Sequence, residues 1–184
     1  MKKITFLLTS AIIAAGFIKK AAADDYKYIP YIGVDYVYSQ TNAKGLKPYH
    51  NAADVRLGSD YSQYFATELF FQQSDSNKRR PDGEILKTSY RAYGLDLLAY
   101  LPLDCGKRFS LLATAGIGEY VYNTKLLPNK HHNEHGYGYR FGGGFKYALS
   151  QNWQTRFVAR HVSFDHLHGY DHNMEYSAGI EYHF

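Results

Sequence analysis

The last thirteen residues, His172 to Phe184 (HNMEYSAGIEYHF), restrict the fold more than any other stretch. Met174, Tyr176, Ala178, Ile180, Tyr182 and Phe184 share one parity, while Glu175, Ser177, Gly179, Glu181 and His183 share the other. A period of two is the mark of a β-strand, here with one apolar, aromatic face and one small or charged face. Such a strand cannot stand alone, so the rest of the chain must supply partners of the same kind.

Seven earlier stretches alternate in the same way: Tyr28 to Tyr38, Ala53 to Tyr61, Tyr64 to Gln73, Thr88 to Leu101, Arg108 to Tyr122, Tyr137 to Leu149 and Trp153 to Phe164. Short turns near residues 62–63, 102–107 and 150–152 alternate with longer polar segments over 39–50, 74–85, 123–136 and 165–171. Eight strands with this asymmetry predict an all-β, eight-stranded antiparallel up-and-down barrel. The stretch from Tyr137 to Leu149 sets its orientation, because Arg140 and Lys146 lie on the glycine face opposite five aromatic rings. A charge turned to lipid at mid-bilayer costs about 2–4 kcal/mol, so these cations face inward and the rings outward. Glu119 interrupts the outward face of Arg108 to Tyr122, either at the headgroup level or through a bulge that changes the parity.

Composition supports a strand-crossing membrane protein. Nineteen Tyr and eleven Phe accompany a mean hydropathy of -0.44, whereas a helical membrane protein needs runs of about twenty apolar residues. Residues 1–23 read as a secretory signal: Lys2 and Lys3, an apolar run from Ile4 to Ile18, and Ala21 to Ala23 before the cut. Its removal takes four of the 21 basic residues and none of the 17 acidic ones, leaving a balanced barrel over 24–184 and no basic face for nucleic acid. The single cysteine, Cys105, has no internal disulfide partner.

Three stretches carry a family likeness: Tyr31 to Tyr36 (YIGVDY), Asn152 to Arg156 (NWQTR) with Arg160, and Gly179 to Phe184 (GIEYHF). In order and spacing they resemble the small outer-membrane β-barrels that include the membrane domain of outer-membrane protein A and the opacity-type surface antigens. The resemblance implies a Gram-negative cell outer membrane location, short periplasmic turns, long extracellular loops, and a structural or adhesin-like, antigen-like role. It implies contact with outer-membrane lipid and lipopolysaccharide, and a host or surface partner reached through the loops. It further implies recognition of Tyr182 and Phe184 by the barrel assembly machinery.

The inward parity collects Arg56, Glu68, Asp96, Arg140, Lys146, Arg156, Arg160 and Glu181, with Asp35, Asp54 and Glu175 beside them. In a barrel this narrow they are expected to form an ionic network that fills the interior; a narrow, porin-like pore is the alternative. His161, Ser163 and Glu175 resemble the His-x-Ser and acid of the lipid A deacylases, which implies a lipid-facing Ser-His-acid hydrolase as an alternative. Phe164 stands where that family has Asn, and the alternation turns Glu175 inward, so the reading is that the chain is not an enzyme. The histidines of His131 to His135 and of Asp165 to His172 are read as solvated loop residues; no metal site and no cofactor are assigned. Lys78, Arg79 and Arg80 are a loop charge run that could meet lipopolysaccharide phosphates. Amino-terminal sequencing of the protein from outer-membrane fractions is expected to begin at Asp24.

Overall fold

The computed structural model describes residues 28–42, 49–79, 86–104, 106, 108–126, 130–165, 167 and 170–184, with backbone alone at 77–79, 86–87, 125–126 and 130–132. The expected signal, Cys105 and Arg80, together with His166 and His168, lie outside the described residues. Nine strands follow in order: β1 (Ile29–Asn42), β2 (Tyr49–Asp60), β3 (Phe65–Ser74), β4 (Asn77–Arg79), β5 (Leu86–Pro102), β6 (Phe109–Leu126), β7 (Lys130–Ala148), β8 (Trp153–Asp165) and β9 (His172–His183). β4 continues β3 beyond a break at Asp75 and Ser76, and both pair with β5. The sheet therefore has eight staves, all antiparallel, and β1 closes it against β9 from Tyr31↔His183 to Asn42↔His172.

The alternation read from the sequence matches burial along each stave. Ile32, Val34, Tyr36 and Tyr38 are exposed, while Asp35, Val37 and Ser39 between them are buried. At the end with the short turns the outer wall carries Phe65, Leu101, Trp153 and Phe184, and at the opposite end Tyr38, Tyr49, Tyr137, Tyr139 and Tyr176. Aliphatic residues such as Val55, Leu69, Leu97 and Ile117 cover the wall between. Two aromatic girdles around an apolar band are what a bilayer requires of a barrel. Glu119 keeps its outward parity with no bulge, paired in register with Tyr93 and Tyr137. It sits in the tyrosine girdle, where Tyr93 Oη donates to it at 2.6 Å and His135 Nδ1 lies 3.4 Å away.

The segment 123–136, expected as a loop, is mostly ladder: β6 runs to Leu126 and β7 starts at Lys130. Beyond the girdle both faces of a strand meet water, so the polarity alternation fades although the hydrogen bonds continue. For the same reason β1, β2 and β5 reach further toward the loops than the alternation indicated. At the other end the chain turns tightly. Asp104 accepts hydrogen bonds from the backbone N–H groups of Phe109 (2.8 Å) and Arg108 (3.1 Å), which hold its carboxyl below the ordinary range.

Inward glycines decide how much side chain the interior accepts. A Cβ on Gly33 would meet the Arg56 guanidinium at 2.5 Å, and one on Gly142 the Arg160 Cγ at 2.7 Å. Each glycine stands across the ladder from the large cation that occupies its space. Gly33→Ala is therefore expected to overpack the interior and destabilise the barrel by about 1–3 kcal/mol, read as a lower urea midpoint in a heat-modifiable electrophoresis assay.

Candidate functional site

The lumen is built in layers, each set by strand register. Closest to the short turns, His183 Nδ1 lies 3.3 Å from Asp60 and its Nε2 lies 3.2 Å from Glu181. Lys146 Nζ is 3.6 Å from Glu181 and 3.8 Å from the centre of the Tyr100 ring. Asp60, Tyr100, Lys146 and His183 line an open cavity of about 290 Å³, together with Phe184 and Ser110. Asp60 and His183 had inward parity but were not among the expected network residues; their pairing needs β2 and β9 to meet through β1.

Above this layer two guanidiniums hold three carboxylates. Arg56 donates to Asp35 at 2.7 Å, to Glu181 at 3.0 Å and to Glu68 at 3.2 Å. Arg156 donates to Asp35 at 3.0 Å and to both oxygens of Glu68 at 3.0 Å. Tyr31 Oη adds a further bond to Glu68 at 3.0 Å. All five charged side chains are buried. Ions taken out of water cost several kcal/mol each unless every partner is in place, and here the partners come from β1, β2, β3, β8 and β9.

The next layer is looser. Arg140 lies 3.5 Å from Asp96 and 3.5 Å from Glu175, with its guanidinium carbon 3.7 Å above the Phe70 ring. Arg160 lies 3.8 Å from both Glu68 and Asp96 and donates to Ser177 at 3.1 Å. Both oxygens of Asp54 are buried without a hydrogen-bond partner among the described residues. Toward the long hairpins rings gather in the lumen: Tyr90 and Tyr122 stack at 5.4 Å, Tyr122 and Tyr170 at 4.4 Å, and Gln72 donates to Tyr90 Oη at 2.6 Å. These inward tyrosines escaped the sequence reading, which placed aromatic residues on the lipid face; their parity, shared with Ala92 and Gly118, was the available signal.

The three residues resembling a hydrolase site do not converge. His161 and Ser163 lie on the outer wall, whereas Glu175 is inside, accepting from Asn173 at 3.2 Å and from Tyr120 Oη at 3.3 Å. The barrel wall separates the acid from the imidazole it would orient. The His161 ring instead stacks on His172 at 5.3 Å. His131, His132 and His135 belong to β7 rather than to a loop, and among the described residues no three His, Cys, Asp or Glu side chains converge as metal ligands. Tyr182 packs edge-on against Trp153 at 5.0 Å and Phe184 at 5.3 Å, and Phe184 N still donates to Pro30.

The two charged layers differ in what substitution should do. Arg56→Met leaves three carboxylates short of a partner and is expected to cost about 3–5 kcal/mol. Asp54→Asn removes a buried carboxylate that has no hydrogen bond among the described residues and is expected to raise stability. Urea titrations of both variants against the wild type, read by tryptophan fluorescence of Trp153 and by electrophoretic mobility, check the opposite signs.

The sequence model of the outer membrane protein beta-barrel domain matches residues 6–184. The fold is similar to that of Neisserial surface protein A (TM-score 0.71, 13% identity, 84% of this chain and 97% of that one). It is also similar to Ail of Yersinia pestis, solved with the heparin analogue sucrose octasulfate (0.63, 12%, 86% and 99%), and to OprG from Pseudomonas aeruginosa (0.58, 14%, 86% and 97%). No curated protein sequence matches the chain. The match over nearly the whole length, on a closed eight-stave barrel with two aromatic girdles, makes this chain a member of the outer membrane protein beta-barrel family, resident in the cell outer membrane.

Proposed function

We propose that the barrel is a surface-interaction protein, adhesin-like or antigen-like, whose lumen is plugged and whose working part is the sheet that projects beyond the outer leaflet. The observation carrying this is strand length. A tilted strand crosses the bilayer in about 9–11 residues, yet β6 has 18 and β7 has 19. About eight residues of each therefore stand outside the membrane as hydrogen-bonded sheet, an ordered platform in place of a loose loop.

Register gives that platform a chemistry. Lys78 pairs with Lys87, Lys87 with Lys125, and Lys125 with His131, so the backbone ladder puts three lysines and a histidine at one level of β4, β5, β6 and β7. Three lysines at one level suit an anionic glycan, either a lipopolysaccharide core or a sulfated host polysaccharide. The neighbouring fold of Ail, solved with sucrose octasulfate, supports a ligand of this class. The terminal Tyr182 and Phe184 serve recognition by the barrel assembly machinery.

The plugged reading rests on the buried Arg56 and Arg156 layer together with the tyrosine layer above it. A narrow pore is the second reading, favoured by the 3.5–3.8 Å pairs of Arg140 and Arg160. No catalysis is assigned, since His161 and Glu175 lie on opposite sides of the wall. Cells displaying the protein should bind immobilised heparin, and changing Lys87 and Lys125 to Gln should abolish retention while heat-modifiable migration persists. In planar bilayers the purified barrel should give no reproducible large conductance; such a conductance would replace the plug with the pore.

A further inference from the structure

We propose that His161 and His172, with Met174 beside them, form a copper-binding site on the outer wall of the barrel within the tyrosine girdle. The pairing of β8 with β9 assembles the donors. His161 stands opposite Met174 and Ser163 opposite His172, so both imidazoles and the thioether share one outward patch of adjoining strands. The two rings face each other with centroids 5.3 Å apart and planes 20° from parallel. His161 is exposed and His172 half-buried. Among the described residues neither ring hydrogen-bonds to a carboxylate or carbonyl, so nothing pins the rings and their nitrogen lone pairs are open.

The patch has few ordinary reasons to exist. Around the patch, Tyr139 pairs with Ser163 and Tyr176 is the next outward residue after Met174 on β9, rings that suit the interface by placing a hydroxyl at the headgroups and a body in the hydrocarbon. Two adjacent imidazoles do neither well. Metal–nitrogen bonds of about 2 Å bring two nitrogens on one ion to within about 4 Å of each other. The stacked rings do not aim their in-plane nitrogens at one point, so at least one ring turns when the ion binds. Imidazoles accept zinc, nickel and copper, a thioether selects Cu(I), and Cu(II) stands at the top of the divalent affinity order. Two nitrogens and a sulfur leave coordination positions for water, which makes the site an exchangeable one rather than a closed structural centre. Of the histidines expected in the loops only His172, which the structure places at the start of β9, takes part.

The test uses the untagged protein purified from outer membranes and held in detergent micelles. Cu(II) is titrated against a chromophoric chelator and followed by electron paramagnetic resonance, and Cu(I) is titrated under ascorbate. Nitrogen hyperfine structure from two imidazoles is expected. His161→Phe and His172→Phe should each weaken Cu(II) binding by at least about tenfold, the lower end of what even outer-shell changes cost a metal site. Met174→Leu should weaken Cu(I) while leaving Cu(II) near the wild-type affinity. Joint replacement of His131, His132 and His135 by Ala should change neither. Binding that survives in both Phe variants, or that is lost in the triple variant instead, overturns the proposal, as does a wild-type protein that takes up no copper. Phenylalanine suits the lipid-facing wall, and heat-modifiable migration verifies folding; His161→Gln and His172→Gln replace any variant that fails it, with the same loss expected.

Discussion

A backbone inside hydrocarbon has no water to satisfy its N–H and C=O groups, and everything else in this protein depends on that constraint. It forbids a free edge within the membrane, so β1 must find β9 although they stand at opposite ends of the described chain. Closure at eight staves fixes a lumen only wide enough for side chains. Charges placed inside must then be satisfied by one another. The Arg56 and Arg156 layer does this by sharing carboxylates: Glu68 accepts from both guanidiniums, and so does Asp35. The glycines across the ladder supply the volume such groups need.

Satisfaction is uneven along the axis. Near the middle the donor distances fall at 2.7–3.3 Å, whereas Arg140 and Arg160 sit 3.5–3.8 Å from their acids and the Asp54 carboxylate has no hydrogen bond among the described residues. The tighter layer welds together the two ends of the sheet; the looser one packs a guanidinium on the Phe70 ring and relies on aromatic stacking above it. Stability and rigidity thus concentrate on the β1–β2–β3 and β8–β9 side of the barrel. The β5–β6–β7 side carries the projecting sheet.

Much of this was legible from residue parity alone, because a bilayer on one side and a narrow lumen on the other impose opposite chemistries on alternate residues. Arg140 and Lys146 among the aromatics of β7 were enough to orient that stave, and Glu175 followed from counting back from Phe184. Parity says nothing about which inward residues meet, since that depends on register between staves distant in sequence; hence the pairing of Asp60 with His183 and of His161 with His172 could not be read. It also fails where both faces become wet, which hid the length of β6 and β7. The inward tyrosines were missed for a different reason: an amphipathic ring suits a polar lumen as well as a lipid interface, so residue type does not choose between them.

The sharing of Glu68 between Arg56 and Arg156 bears on how the barrel is made. One guanidinium comes from the second stave and the other from the seventh, and Glu181 arrives only with the last. A sheet still lacking its last staves would leave Arg56 without Glu181 and Glu68 without Arg156, with the remaining ion pairs turned to hydrocarbon, a state costlier than the finished one. Partial barrels therefore cannot accumulate inside the bilayer. The early staves must wait, shielded, until the last strand is delivered, and the ends then zip in one concerted step in which sealing the wall and neutralising its interior are the same event.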